Sequence, residues 1–282
     1  MDYHTLQQRL TGRYTEREAQ AVARLVLENV CGLSFADVCA GKDRQLLPHQ
    51  QARLQEIASR LCGGEPVQYV LGEEWFAGRR FEVNPSVLIP RPETEALCEW
   101  IGEEGERNGA PCAILDIGTG SGCIAITLSK ALSHATVEGW DISDAALHTA
   151  ARNAESLQAD VTWHCRDILT WQPQGEKWDI IVSNPPYIPQ HEREEMEENV
   201  VDFEPASALF VPDEEPLLFY RAIGRYALLT LKDNGQLFVE THSRQAQAVA
   251  ALFSELGFAH TDLRNDIFGL PRMVRATSRH SE

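Results

Sequence analysis

The sequence predicts an α/β protein: an open, mostly parallel sheet whose last strand runs antiparallel, preceded by a helical bundle that a β-hairpin joins to it. Three observations carry this. From about residue 113 onward, short apolar runs of strand length alternate with helical stretches, and right-handed crossovers turn that alternation into a parallel sheet. The last two runs, AHTDLR (259–264) and PRMVRAT (271–277), lie too close together for a helix between them, so the final strand turns back. Residues 1 to about 70 instead carry the three-four apolar spacing of packed helices.

In the first segment Leu6 and Leu10 share a face, and Ala19, Val22, Ala23, Val26 and Val30 form a buried stripe. Thr15 and Glu18 make a capping-box signature just ahead of it. Leu54, Ile57, Ala58 and Leu61 repeat the pattern before Gly63 and Gly64 end it. Between residues 67 and 87 the periodicity changes. Val67, Tyr69 and Leu71 alternate, a break follows near Gly72 and Gly78, and Phe81 and Val83 alternate again, which reads as a hairpin or a pair of short strands. The expected organisation is therefore a helical bundle over 1–66, a hairpin linker over 67–87 and a sheet domain over 88–282. LIPRPETE (88–95) opens that domain; its prolines keep the chain extended until a helix begins near Glu93. Arg91, Glu93 and Glu95 read equally well as an ordinary charged helix start, where acids favour the positive end of the dipole.

The strands follow as AILDIG (113–118), TVEGWDI (136–142), VTWHCRD (161–167), WDIIVS (178–183) and GQLFVET (235–241), with a helix from Cys123 to Leu132 and Ser143 as the N-cap of the next. A helix ends near Gly257. No internal repeat or low-complexity tract interrupts the pattern.

Composition narrows the function classes. A formal net charge of −17 argues against a broad phosphate-tracking surface. It permits a basic protein partner, although solubility alone accounts for it. The seven cysteines are scattered and form no C-x-x-C pair, so neither a disulfide framework nor a zinc pattern is visible. MDYHTLQQRL lacks the apolar core of a signal peptide, and no run approaches a membrane span, so a reduced cytoplasm is the expected location.

Two loops carry candidate chemistry. The first is Asp116-Ile117-Gly118-Thr119-Gly120-Ser121-Gly122, between a strand and a helix, where glycines allow a tight turn and a close backbone approach. Its third glycine arrives one residue too early for G-x-G-x-x-G, and no Lys-Ser or Lys-Thr follows, so a pyrophosphate is disfavoured and a smaller or zwitterionic ligand preferred. Asp141 ends the next strand, where an acid accepts from both hydroxyls of a ribose. Asp167 ends the third, placed for an adenine amino group beside the backbone of Ile168, while Asp116 faces an ammonium or holds the loop. One such acid alone is more often a turn or cap residue; three at successive strand ends beside a glycine loop point to a nucleoside site.

The second loop is Asn184-Pro185-Pro186-Tyr187, closing the apolar run Ile180-Ile181-Val182. The prolines fix their own φ and push the preceding residue into extended geometry, so the corner is stiff. The Asn184 amide and the Pro185 carbonyl offer two acceptors and Tyr187 a flat wall, which together suit a planar NH2 group. An ordinary strand-ending Asn-Pro turn is the plain alternative.

DIGTGSG with a later NPPY resembles the S-adenosylmethionine-dependent methyltransferases that modify planar amino groups. GEPVQYVLG (64–72), the pair Trp75-Phe76, LIPRPETE and FEPASAL (203–209) make the chain similar, from about residue 60 to the end, to the release factor glutamine methyltransferase family. That family more often has the aromatics of Trp75-Phe76 in another order. The resemblance implies a Rossmann-like methyltransferase sheet and transfer of a methyl group to the glutamine amide nitrogen of the Gly-Gly-Gln loop of class I peptide chain release factors. It implies contacts to S-adenosyl-L-methionine from Asp116, Gly118, Thr119, Gly120, Ser121, Gly122, Asp141, Ile142, Asp167, Ile168 and Asn184. Catalytic roles fall to Asn184, Pro185 and Tyr187, and substrate contacts to those three with Pro186, Trp75, Phe76, Arg91 and Glu93. The chemistry requires no metal, the acidic balance leads us to expect no stable nucleic-acid binding, and a monomer is the expected state. A nucleic-acid amino methyltransferase sharing NPPY is the runner-up, against which the acidic balance counts; a non-catalytic release-factor-binding module is a third reading, against which the intact loops count. The acidic stretch from Glu192 to Glu204 reads as a solvated loop, or else as a lip for a basic partner loop.

Overall fold

The computed structural model describes residues 1–108 and 112–278. It divides into two compact units, residues 1–73 with 197–203, and residues 74–196 with 204–282. In the first unit, α1 (Tyr3–Leu10), α2 (Glu16–Cys31), α3 (Phe35–Cys39), a 3-10 turn, α4 (Pro48–Cys62) and α5 (Val67–Leu71) enclose a core of Leu6, Leu10, Ala23, Val26, Leu54, Ile57 and Leu61. The expected capping box is present: Glu18 N donates to Thr15 Oγ1 at 3.3 Å and Thr15 N to Glu18 Oε2 at 2.9 Å. Residues 197–203 belong to this unit, and Glu198 there pairs with Arg13 at 3.1 Å.

The strand expected over residues 67–71 is instead helix α5. Its apolar residues satisfy both periods, and Val67, Val70 and Leu71, spaced i, i+3, i+4, turn toward the helical core, with Pro66 opening the turn and Gly72 ending it at φ +80°. The hairpin is confined to β1 (Glu73–Phe76) and β2 (Arg79–Glu82).

The second unit continues with α6 (Pro92–Asn108), β3 (Cys112–Ile117), α7 (Cys123–Ala131), β4 (Ala135–Asp141), α8 (Asp144–Leu157), β5 (Thr162–Cys165), β6 (Trp178–Ser183) and β7 (Ile188–Pro189). After α9 (Glu198–Phe203) come α10 (Ala206–Leu209), β8 (Phe210–Val211), α11 (Leu218–Thr230), β9 (Leu231–Glu240), α12 (Ala246–Leu256), β10 (His260–Asn265) and β11 (Pro271–Thr277). Ser143 caps α8, accepting from Ala146 N at 3.2 Å. The seven-stranded sheet has the order β10-β11-β9-β6-β3-β4-β5. Its pairings are parallel except those of β11, the last strand, which is antiparallel to both neighbours. Because side chains alternate along each strand, Leu115, Ile181 and Leu237 face a core shared with α11 and α12, while Ile114, Ile180, Val182 and Phe238 face α6 and α7. No helix among the described residues is long and apolar enough to cross a membrane.

Strand order reverses at β3. The chain passes from β3 outward to β4 and β5, then returns to the other side of β3 as β6, and the divergence of the loops there leaves a crevice at the carboxyl edge.

Candidate active site

Register decides what meets at that edge. Ile117 pairs with both Trp140 and Ser183, so Gly118, Asp141 and Asn184 leave three adjacent strands at one level. Asp141 pairs with Cys165, which brings Arg166 and Asp167 to the same rim. A cavity of about 320 Å³ opens there. Its lining contains Gly118, Thr119, Gly120, Ser121, Asp141, Ile142, Asp167, Ile168, Asn184, Pro185, Pro186 and Arg91, so the two loops singled out in the sequence share one pocket.

The glycine loop is held mainly by its own protein. Gly118 and Gly120 sit at φ +74° and +56°, where a side chain is strained, and a Cβ on either would meet open space. Gly122, at φ +80°, is a packing glycine: a Cβ there would lie 3.0 Å from Trp163 and 3.1 Å from Ala150 and Ile126. The N–H groups of Gly118 and Thr119 donate to the Trp140 carbonyl, that of Gly120 to Asp141 Oδ2 at 2.9 Å, and that of Gly122 to the Thr119 carbonyl. Donors for an anion are thus largely taken, while among the described residues none donates to the carbonyls of Gly118 or Gly120. Such a loop favours a cationic ligand over a phosphate.

Asp116 lies fully buried beneath the loop. Its Oδ2 accepts from Thr119 Oγ1 at 2.6 Å and Ala125 N at 3.2 Å, while Oδ1 has no hydrogen-bond partner, nor has the buried Ser121 Oγ above it. Burial pushes this carboxyl up to about 7, against the two hydrogen bonds that lower it. Asp141 is also raised, by burial, while Oδ1 accepts from Ser143 N and Oδ2 from Gly120 N. It therefore clamps the glycine loop to the start of α8 while facing the cavity. Asp167 Oδ1 accepts from Leu169 N at 2.9 Å, fixing the turn that carries Ile168. Beside it Arg166 lies between two indoles, 4.2 Å from Trp140 and 4.1 Å from Trp171, an arrangement without a local signal in the sequence.

At the proline corner Asn184 Nδ2 donates to Thr94 Oγ1 at 3.3 Å, and no described residue donates to its Oδ1. Thr94 in turn donates to Glu240 Oε2 at 2.6 Å. Sequence reasoning missed both partners, though Glu240 ends a buried strand as Asp141 does, while β5 stops at Cys165, two residues short of Asp167. Arg91 pairs with Glu204, whose Oε2 also accepts from Ile89 N at 3.1 Å. Glu204 is buried, so it staples the LIPRPETE and FEPASAL stretches together and takes no part in an acidic lip.

Several expected residues lie outside the lining, the expected cofactor contacts Asp116 and Gly122 among them. Phe76 is 1% exposed, edge-to-face with Phe81 at 5.9 Å, whereas Trp75 is 61% exposed, because neighbours on a strand point to opposite faces. Tyr187 packs beside His242, and burial raises its hydroxyl far above the ordinary range. Glu93 lies half-buried at the start of α6.

Comparison with known proteins gives two family-model matches: "PrmC N-terminal domain" over residues 3–72 and "Methyltransferase small domain" over residues 94–206. The chain is 42% identical to the release factor glutamine methyltransferase of Bacteroides thetaiotaomicron, over 96% of this chain and 97% of that one. It is 40% identical to that of Flavobacterium psychrophilum, over 96% of both. Among solved structures, the T. thermophilus 16S rRNA N2 G1207 methyltransferase in complex with AdoMet and guanosine aligns with a TM-score of 0.54 at 19% identity, over 73% of this chain and 50% of that one, a likeness of fold.

Proposed function

The chain belongs to the release factor glutamine methyltransferase family, and from that premise we propose that it moves the methyl group of S-adenosyl-L-methionine to the side-chain amide nitrogen of the glutamine in the Gly-Gly-Gln motif of class I peptide chain release factors. The observation that carries the reading is the Asn184 carboxamide, tied back by its nitrogen and free at its oxygen, one strand away from a glycine loop that favours a cation.

The cavity suits the cofactor. Open space over Gly118 and Gly120, whose carbonyls accept from no described residue, and the acid Asp141 in the lining fit a ligand with an ammonium group and a sulfonium charge. Gly118 to Ser121 would hold its amino-acid portion, with Asp116 and Gly122 shaping the loop from below. Asp141 and Ile142 would hold the ribose, and Asp167 and Ile168 the adenine. When bound, the cofactor would supply an electrophilic methyl group, the sulfur–methyl bond breaking as the nitrogen–methyl bond forms and S-adenosyl-L-homocysteine leaving, while the alkylated nitrogen, acidified by its charge, gives up its proton to water; the proposal includes no metal ion.

The protein's own task is the nucleophile. An amide nitrogen is poor because its lone pair is delocalised, as the rotational barrier of about 18–20 kcal/mol for a peptide bond shows. Asn184 Oδ1 and the Pro185 carbonyl would accept the two N–H groups of the glutamine, orient the nitrogen and stabilise positive charge as it builds there. The prolines keep these acceptors from relaxing, which is what preorganisation requires. Pro186 and Arg91 line the approach; Tyr187 supports the corner from behind through its packing, and Phe76 does so for the hairpin. Exposed Trp75 is proposed to touch the release factor, as is Glu93. The helical unit is proposed to recognise the same partner, and the enzyme to act as a cytoplasmic monomer.

Mass spectrometry of a class I release factor after incubation with enzyme and cofactor tests this: one added methyl group on the Gly-Gly-Gln glutamine is expected. Methylation of DNA or RNA with none on the release factor would overturn it. The nucleic-acid alternative is not favoured, since full-length relatives are named for release factors and the net charge is −17.

A further inference from the structure

Three polar side chains stand in line behind the proline corner. Ser183 pairs with Val239, so Asn184 and Glu240 leave neighbouring parallel strands side by side. Thr94, in the first turn of α6, bridges them through the contacts of 3.3 Å to Asn184 and 2.6 Å to Glu240, and the Glu240 carboxylate also attracts the Asn184 amide directly. Thr94 and Glu240 are each 2% exposed, out of reach of bulk water. Tyr220 fixes the main chain here, its hydroxyl donating to the Glu240 carbonyl at 2.9 Å. A hydroxyl has one proton, and once that proton is directed at a carboxylate the oxygen can only accept from Asn184. The carboxamide then has one satisfied orientation, nitrogen toward Thr94 and oxygen toward the cavity.

We propose that Thr94 and Glu240 form a positioning relay that holds the Asn184 oxygen toward the substrate nitrogen. The relay rests on the functional reading given above and adds to it Thr94, at the cavity wall beside Asn184, and Glu240, which lies behind it outside the lining. Aligned hydrogen bonds running from Asn184 to a carboxylate polarise one another, which strengthens Oδ1 as an acceptor where positive charge develops. Without the relay the amide can turn over and present donors to a group that is itself a donor.

The relay also has a direction that protons can reverse. Burial pushes the Glu240 carboxyl up to about 7; the Thr94 and Asn184 hydrogen bonds and Arg272 of β11 favour its charged form. Glu93 and Cys98 from α6, Cys123 from α7, Tyr187 after β6 and Tyr220 from α11 also face it, of which Glu93 opposes the charge. A protonated Glu240 donates to Thr94, whose own proton then turns to Asn184 and draws the amide oxygen away from the cavity.

The test measures kcat, KM for the release factor and cofactor affinity for wild type, Thr94→Val, Thr94→Ser and Glu240→Gln between pH 6 and 9. Thr94→Val, matched in shape, is expected to lower kcat about 10- to 100-fold, the range for one charge-assisted hydrogen bond, with KM and cofactor affinity within twofold. Thr94→Ser restores the hydroxyl and should stay within about threefold of wild type. Glu240→Gln should flatten the fall in kcat below neutral pH. Wild-type kcat in Thr94→Val, equal losses in Ser and Val, or an unchanged acidic limb in Glu240→Gln would each overturn the relay. A readout on the unaltered protein is the NMR shift of the Asn184 side-chain NH2, expected to titrate near pH 7; a flat shift also overturns it. Absence of release-factor methylation by the wild type would instead overturn the functional reading, so the two failures are distinct.

Discussion

Replacing Asn184 by alanine removes the acceptor on which the proposed chemistry turns. Two magnitudes separate a catalytic effect from a structural one. On the structural side the change breaks the 3.3 Å bond to Thr94 at a half-buried loop position, worth about 1 kcal/mol. In a domain of roughly 150–250 residues that lowers Tm by about 2–4 °C, so the variant remains folded at assay temperature. On the catalytic side, loss of one preorganised polar group costs about 2.7–4 kcal/mol, a factor of about 10² to 10³ in kcat. The glycine loop, Asp141 and Asp167 are untouched, so cofactor affinity should remain as in wild type. The assay is transfer of a labelled methyl group to a release factor under saturating cofactor, alongside calorimetric titration of the cofactor. A kcat within threefold of wild type would refute the reasoning, as would an equal loss of cofactor affinity.

Asp141→Ala releases the Gly120 and Ser143 N–H groups and the clamp they form, so cofactor affinity should fall by about tenfold or more in calorimetry, with unaltered affinity removing Asp141 from the site. Phe76→Ala should cost about 3–5 kcal/mol in denaturant unfolding because a large ring leaves a packed core, whereas Trp75→Ala should change stability by less than about 0.5 kcal/mol and raise only KM for the release factor. Burial pushes the Asp116 carboxyl up from its ordinary 3.8 to about 7, so the folded state binds more protons between those values. Its contribution to stability is present below about pH 4 and is lost as pH rises through 7; Asp116→Asn should lessen that loss in unfolding experiments across the range.

Much of the architecture could be read along the chain. Strands at residues 113–118, 136–142 and 178–183 carry short apolar runs, and such runs have few alternatives to a sheet covered by helices. The Thr15 and Ser143 caps follow from side chains that satisfy backbone donors within three residues. Val67 to Leu71 went the other way because five residues fit either period, and contact with the helical core decided between them. Trp75-Phe76 illustrates a second limit: adjacent aromatics on a strand cannot both enter one cavity.

What the sequence by itself determined is local: a glycine loop able to take positive φ, a corner stiffened by two prolines, and acids at the ends of strands. These depend on steric limits and spacing within a few residues. Only the tertiary structure decided which of them meet. Asn184, Thr94 and Glu240 are separated by 90 and 56 residues along the chain and come together because β9 pairs with β6 and α6 packs across them. Likewise the glycine loop and the proline corner share a cavity because the order of strands reverses at β3. Strand order is set by the burial of whole sheet faces against helices, a sum over distant contacts that no short stretch of sequence contains.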